Sequence, residues 1–130
     1  MEKEFIGEEL PKALQTLRSF YRQNKWERKK MAAAYYDGNR FIAAFNSKKT
    51  HPIAKRYNHL QSRTHCEIAC LQQIKQNNNL TGTLYIYRES FDSKSKMARC
   101  CNSCISYIRS RGIKKICYTT NGGYKIEHLD

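Results

Sequence analysis

The first hydrophobic pattern along the chain has the period of a helix. Between Glu9 and Asn24 the apolar positions are Leu10, Ala13, Leu14, Leu17, Phe20 and Tyr21. They recur three or four residues apart, which places them on one side of a helix. Pro11 suits the first helical turn, where a backbone N–H has no partner within the helix. The pattern therefore predicts an amphipathic helix over Glu9–Asn24.

Strands are predicted where short apolar segments are rich in aromatic and β-branched residues. The first two strands flank Asp37-Gly38-Asn39, a sequence typical of a hairpin turn. Two further helical patterns, His65–Gln76 and Cys101–Arg111, lie between the later strands, and Gly112 ends the second. The predicted strands are Lys30–Tyr36, Arg40–Asn46, Thr81–Arg88, Ile113–Thr119 and Tyr124–His128.

The order of these elements predicts an α/β fold. Strands that alternate with helices form a sheet that is covered on both faces. Between Thr119 and Tyr124 there is no room for a crossover helix. If the last short strand pairs with the strand before it, the two must therefore be antiparallel.

Composition is typical of one folded domain over residues 1–130, since 40% of the residues are apolar and 27% are charged. The longest apolar runs, Met31–Tyr36 and Phe41–Phe45, are much shorter than the roughly 20 residues of a membrane helix. The first ten residues, MEKEFIGEEL, are acidic and lack the apolar core of a signal peptide. We therefore expect a cytoplasmic protein with no membrane partner.

The charge of the chain is strongly positive. Lys and Arg number 24 against 11 Asp and Glu, which gives a net charge of +13. Such a charge attracts phosphate groups, either on a free nucleotide or on a single-stranded nucleic acid. The alternative is a solvated surface that only keeps the protein in solution.

Two short segments combine residues that bind metals and carry protons. RTHCEIACL (63–71) contains His65-x-Glu67, and ARCCNSCIS (98–106) contains Cys101-x-x-Cys104, each at the start of a predicted helix. Where thiols stay reduced, six cysteines indicate metal binding or burial rather than disulfides. One imidazole and two thiolates make three protein ligands, the number typical of a catalytic zinc site with an open fourth position.

With these motifs the sequence resembles the zinc-dependent cytidine/deoxycytidylate deaminase superfamily, whose signature is H-x-E followed by P-C-x-x-C. The segments AAFNSKKTHP (43–52) and YTTNGGYKIE (118–127) extend the resemblance, which covers roughly residues 12–128. With these segments the sequence is similar to small bacteriophage deaminase-like proteins. The resemblance implies a three-layer α/β/α cytidine deaminase-like fold. Its sheet would be mixed and five-stranded, with a short antiparallel last strand.

The resemblance also implies the roles of individual residues. His65, Cys101 and Cys104 would bind one zinc ion per chain, and Glu67 would carry protons without being a ligand. Asn46 would hold the sugar of the substrate. The implied reaction is a hydrolysis in which water replaces the amine of a cytosine-like or adenine-like ring and ammonia leaves. If the protein is viral, the compartment would be the cytoplasm of the host.

One position departs from the superfamily pattern, because Cys100 stands where the signature has proline. Its thiol could exchange with a ligand, form a redox-sensitive pair with Cys101, or simply pack. We favour packing, since a free cysteine behaves as a small buried hydrophobe. On the same argument Cys66, Cys70 and Cys117 are expected in the core.

The basic residues near Asn46 predict the class of substrate. The loop between Asn46 and His65 carries Lys48, Lys49 and Arg63. Positive charge beside the sugar favours a 5′-phosphate on the substrate. We therefore expect a nucleotide such as deoxycytidine monophosphate (dCMP) rather than a free nucleoside.

Two other functions stay open. The basic segments 25–30 and 94–99, with Tyr57 as a base-stacking residue, favour a deaminase that acts on single-stranded DNA, RNA or tRNA. A zinc-bearing nucleic-acid-binding protein without turnover is the third alternative. Glu67 argues against it, because a structural zinc site needs no carboxylate there. The sequence also leaves open whether the chain forms a homo-oligomer.

Overall fold

The helices and strands lie close to the positions that the hydrophobic pattern predicts. The computed structural model describes residues 2–23, 31–46, 65–75, 79–90 and 92–129. The helices are α1 (Lys12–Gln23), α2 (Cys66–Leu71) and α3 (Asn102–Ser110). The strands are β1 (Glu2–Ile6), β2 (Ala32–Tyr36), β3 (Phe41–Phe45), β4 (Thr83–Tyr87), β5 (Lys115–Thr120) and β6 (Gly123–His128). Within these described ranges, no helix is long and apolar enough to cross a membrane.

The strands of the described residues form one open mixed sheet of six strands, in the order β1-β6-β5-β4-β2-β3. β4 and β5 are parallel, and the other neighbouring pairs are antiparallel. β3, β4 and β5 therefore end at the same edge of the sheet, which we call the carboxyl edge. Because α3 connects the parallel strands β4 and β5, it begins at this edge. Side chains at the start of α3 are thus placed beside the ends of these strands.

The expected number of five strands is wrong, because β1 adds a sixth strand beside β6. Three of the five residues of β1 are charged, so its own sequence has little strand propensity. Contacts with β6 stabilise it instead. Phe5 stacks on Tyr124 with ring centroids 4.7 Å apart, and Glu2 forms an ion pair with Lys125. A strand that depends on partners at the other end of the chain leaves no clear local pattern.

Helices cover both faces of the sheet because alternate residues of a strand point to opposite sides. In β2, Ala32 and Ala34 face the core under α1, whereas Ala33 and Tyr35 face the core under α2 and α3. All four are fully buried. From the helices, Leu14, Leu17 and Tyr21 enter the first core, and Ile68, Leu71, Tyr107 and Ile108 enter the second.

The helix α2 is shorter than the predicted helix His65–Gln76, because it ends at Leu71. Arg111 donates hydrogen bonds to the carbonyl oxygens of Leu71 and Ile74, at 2.9 and 2.7 Å. Ile74 continues the apolar pattern and is buried, but it lies beyond the helix. The buried guanidinium thus satisfies the Leu71 carbonyl at the end of α2 and the Ile74 carbonyl just beyond it.

The segment before α3 is fixed against β5 and β6. Arg99 donates two hydrogen bonds to the carboxylate of Glu127, both at 2.9 Å, and Tyr118 donates a third at 3.0 Å. The backbone N–H of Ala98 donates to the carbonyl of Thr119 at 3.0 Å. Paired and charge-assisted bonds of this kind fix geometry well. They hold the start of α3 in place at the carboxyl edge.

Candidate metal centre

The starts of α2 and α3 bring the predicted metal ligands together. His65 is the N-cap of α2 and Cys101 is the N-cap of α3, both with extended backbone (φ −68° and ψ 155° or 163°). The two helices contact each other on the same face of the sheet. Cys104 follows in the first turn of α3. Because two residues separate the cysteines at the start of α3, both sulfur atoms lie close to His65.

The distances between these three side chains suit a metal ion. His65 Nδ1 lies 3.2 Å from Cys104 Sγ and 3.6 Å from Cys101 Sγ. All the ligand atoms of this group lie within 4.8 Å of one another. In a tetrahedral zinc site with Zn–S of about 2.3 Å and Zn–N of about 2.0 Å, a nitrogen and a sulfur ligand are about 3.5 Å apart. The group could hold a metal ion, and its spacing is compatible with zinc.

The cysteine pair contains one sulfur that is ready to bind a metal. Hydrogen bonds from the Cys104 thiol and from His65 lower the pKa of Cys101 to about 3. The contact with Cys101, together with burial, raises the pKa of Cys104. Cys101 is therefore a thiolate at neutral pH, the form in which cysteine binds metals. Cys101 is exposed, whereas Cys104 is buried, so the centre opens to solvent on the side of Cys101.

Glu67 lies beside this group without belonging to it. Its side chain is in the first turn of α2 and is buried, at 2% exposure. A hydrogen bond with Cys101 and, to a smaller extent, the negative charge of Glu67 raise the pKa of His65. Among the described residues, the group that could hold a metal consists of His65, Cys101 and Cys104 alone. The site thus combines three candidate ligands with a nearby buried carboxylate that lies outside the metal group.

Two cysteines that the sequence placed in the core have a second role in the structure. Cys66 and Cys100 are buried, as expected, but both thiols also hydrogen-bond to the Glu67 carboxylate. The distance from Cys66 Sγ to Glu67 Oε1 is 2.8 Å. In the sequence Cys66 is adjacent to Glu67 and Cys100 is adjacent to Cys101. This adjacency is the one sequence signal from which the contacts could have been expected.

Asn46, the predicted sugar ligand, follows β3 at the carboxyl edge. Its Oδ1 accepts a hydrogen bond from the backbone N–H of Met31 at 2.9 Å, and its own N–H donates to the Met31 carbonyl at 3.2 Å. Asn46 therefore closes the open end of the β2–β3 hairpin. The other predicted substrate residues, Lys48, Lys49 and Arg63, lie outside the described residues, as do Tyr57 and the basic segment 25–30.

A cleft of about 420 Å³ lies on the face of the sheet that α1 covers, next to the carboxyl edge. Four cationic side chains line it, namely Arg18, Arg22, Lys94 and Lys96. Glu8 is the carboxylate in the described lining, and Arg22 also pairs with Glu89 at 2.9 Å. The sequence analysis singled out the two lysines as part of the basic segment 94–99. It did not single out the two arginines, because cations are common on the polar side of a helix. The cleft carries a net positive charge that suits a phosphate group.

Comparison of the chain with protein-family models, with curated proteins and with solved structures gives no significant match.

Proposed function

We propose that this protein is a zinc-dependent hydrolytic deaminase of the cytidine/deoxycytidylate type that acts on a cytosine nucleotide. The observation that carries this proposal is the group of His65, Cys101 and Cys104 with the buried carboxylate of Glu67 beside it. Structural zinc sites usually have four protein ligands, whereas catalytic sites have three and an open position. A structural site needs no carboxylate beside the metal.

The residues of the site suit each step of the proposed hydrolysis. Zinc bound to His65, Cys101 and Cys104 would supply Lewis-acid activation of a water molecule. Glu67 accepts one proton from the attacking water and delivers it to the ring nitrogen; it then takes the second proton from the new hydroxyl group and delivers it to the departing amine. The bond from the ring carbon to the amine breaks, ammonia leaves, and a carbonyl remains. Burial of Glu67 excludes bulk water from this proton path.

The sheet topology supports the same proposal. Helices lie on both faces, and the two helices that carry the candidate ligands share one face and begin at or near the ends of parallel strands. In α/β sheets, ligands bind outside the carboxyl ends of the strands. This arrangement is compatible with the three-layer cytidine deaminase-like fold that the motifs imply, with β1 as an addition at one edge.

The decisive test is ammonia release by the zinc-loaded protein from a panel of substrates. The panel contains dCMP, CMP, deoxycytidine, cytidine, AMP, single-stranded DNA and tRNA. We expect turnover of dCMP to exceed that of deoxycytidine, because the proposed site near Asn46, Lys48 and Lys49 favours a 5′-phosphate. Ammonia release from none of these compounds would remove the deaminase proposal.

Zinc binding is expected to tighten as the pH rises. Binding requires Cys104 as a thiolate and His65 as a neutral imidazole, yet the contact with Cys101 raises the pKa of both groups. Both must lose protons on binding, so the affinity falls as the pH falls through the raised pKa of His65. Competition with a chromogenic chelator from pH 6 to pH 8 should show a gain of about tenfold per pH unit for each proton released. An affinity that is constant over this range would contradict these protonation states.

A second candidate function is deamination of a base in a single-stranded polynucleotide. The net charge of +13 and the basic cleft on the α1 face favour it. Phosphate groups of a bound strand could occupy the cleft while one base enters the metal centre from the same edge of the sheet. The loop 93–96 joins the two regions, since it lines the cleft and leads to the segment before α3.

The double variant Arg18→Ala/Lys96→Ala separates the two candidates. If the substrate is a polynucleotide, losing two phosphate contacts should weaken oligonucleotide binding. The slope of log affinity against log salt concentration should become less negative by about 1.4. If the substrate is dCMP, the KM for dCMP should stay unchanged. The matched control is Arg109→Ala/Lys114→Ala, which removes two exposed cations away from the cleft. Equal losses in both double variants would exclude a specific role for the cleft.

A further inference from the structure

The Glu67 carboxylate lies between two buried thiols that come from different segments of the chain. Cys66 precedes it in α2, and Cys100 precedes the candidate ligand Cys101. Cys66 Sγ lies 2.8 Å from Glu67 Oε1, and the Cys100 thiol also hydrogen-bonds to this carboxylate. The exposures of Cys66, Glu67 and Cys100 are 1%, 2% and 2%. Bulk water therefore has little access to these three groups.

In the contact with Cys66 the thiol donates and the carboxylate oxygen accepts. Burial, together with the negative charge of Glu67, raises the pKa of Cys66 and of Cys100 well above the usual range. A buried carboxylate needs hydrogen-bond donors, because it loses the water molecules that would solvate it. An ionised carboxylate has about four acceptor positions, so two thiol bonds leave others for a proton in transfer.

The buried thiols of Cys70 and Cys117, which lie outside the metal group, show that packing alone does not require this arrangement. Cys70 donates to the backbone carbonyl of Ile42 at 3.1 Å. Cys117 lies in the core on the opposite face of the sheet, under α1. Both are as buried as Cys66 and Cys100, yet neither hydrogen-bonds to a carboxylate of the described residues. Cys66 and Cys100 thus differ from the other core cysteines in their partner, not in their burial.

We propose that Cys66 and Cys100 are positioning residues, whose thiol groups hold the Glu67 carboxylate in the orientation needed for proton transfer at the metal centre. This inference rests on the proposed deaminase function for its kinetic consequence. It also gives a reason for Cys100 at a position where the superfamily signature has proline. The proline would supply backbone rigidity, whereas the cysteine supplies a donor to the carboxylate.

Kinetics of matched variants test the positioning role. Cys66→Ala and Cys100→Ala remove the donor, whereas Cys66→Ser and Cys100→Ser keep one. We expect the alanine variants to lower kcat about tenfold with KM within about twofold, since small misplacements of a catalytic group are costly. The serine variants should recover most of kcat. Cys117→Ala controls for the loss of a buried thiol and should leave kcat unchanged. Equal loss in alanine and serine variants with full zinc, or no loss in either, would overturn the proposal.

Infrared spectroscopy of the zinc-loaded protein tests the hydrogen bonds without any turnover. The S–H stretching band shifts to lower wavenumber when a thiol donates a hydrogen bond, and the alanine variants assign the bands of Cys66 and Cys100. In Glu67→Leu both bands should move to higher wavenumber, whereas the band of Cys117 should not. Bands that do not move would overturn the proposal, whatever the kinetics show. If the bands move but the wild-type protein releases no ammonia, the contacts stand and the deaminase function fails.

Discussion

Cys104→Ser is expected to lose stoichiometric zinc and to unfold at a lower temperature than the wild-type protein. Cys104 supplies one of the three candidate ligands found among the described residues, and its buried sulfur lies 3.2 Å from His65 Nδ1. A serine hydroxyl does not ionise at neutral pH and is a poor ligand. Changes in groups that merely support zinc ligands cost about 10–100-fold in affinity, so loss of a ligand should exceed 100-fold. Because metal binding contributes to folding, thermal stability should fall with it.

The measurement is zinc per chain by mass spectrometry after dialysis, together with the midpoint of thermal unfolding. The wild-type protein should hold about one zinc per chain, consistent with a single three-ligand site. Cys70→Ser is the matched control, because this thiol is buried in α2 and donates to the Ile42 carbonyl instead of joining the metal group. Full zinc occupancy in Cys104→Ser would remove Cys104 from the ligand set.

The grouping of the candidate ligands was predictable because it depends on local features of the sequence. Cys101 and Cys104 are three residues apart at the start of one helix, and the helix geometry fixes their separation. His65 stands in the same position at the start of α2. Only the approach of the two helices is non-local. That the two motifs lie together was expected because they resemble the superfamily signature. Residue type and spacing thus carried most of the information about the site.

The environment of Glu67 was not predictable in the same way. Cys66 and Cys100 have the residue type of small core side chains, and their burial follows from that. Their hydrogen bonds to Glu67 depend on how α2 and the segment before α3 pack, which is held in part by the contact of Arg99 with Glu127. Sequence pattern gives the faces of helices and strands, but not the partners of polar atoms between them.

The sheet shows the same division between local and non-local information. β6 could be predicted antiparallel to β5 because the turn between them is too short for any other connection. β1 could not be predicted, since its charged sequence pairs only with a strand at the far end of the chain. The cleft on the α1 face also combines three separated segments, so only its lysines stood out in the sequence.

Glu67→Gln is expected to bind zinc as fully as the wild-type protein and to lose at least about 10²-fold in kcat, the low end for removal of an acid–base group. Zinc should stay because Glu67 lies outside the group of His65, Cys101 and Cys104. The amide keeps the shape of the side chain, and its oxygen can still accept the hydrogen bond from Cys66. It cannot, however, take a proton from water and return one to the departing amine.

The result must separate lost proton transfer from lost structure, so zinc content, unfolding temperature and kcat are measured on the same sample. Glu89→Gln is the control, because it makes the same chemical change in a carboxylate that pairs with Arg22 and Tyr87 away from the metal group. We expect its kcat to stay within about twofold of the wild-type value, since this carboxylate has no part in the proton path. Near wild-type ammonia release by Glu67→Gln would show that another group carries the proton. In that case the buried carboxylate would serve only to raise the pKa of His65 and to accept the thiol hydrogen bonds around it.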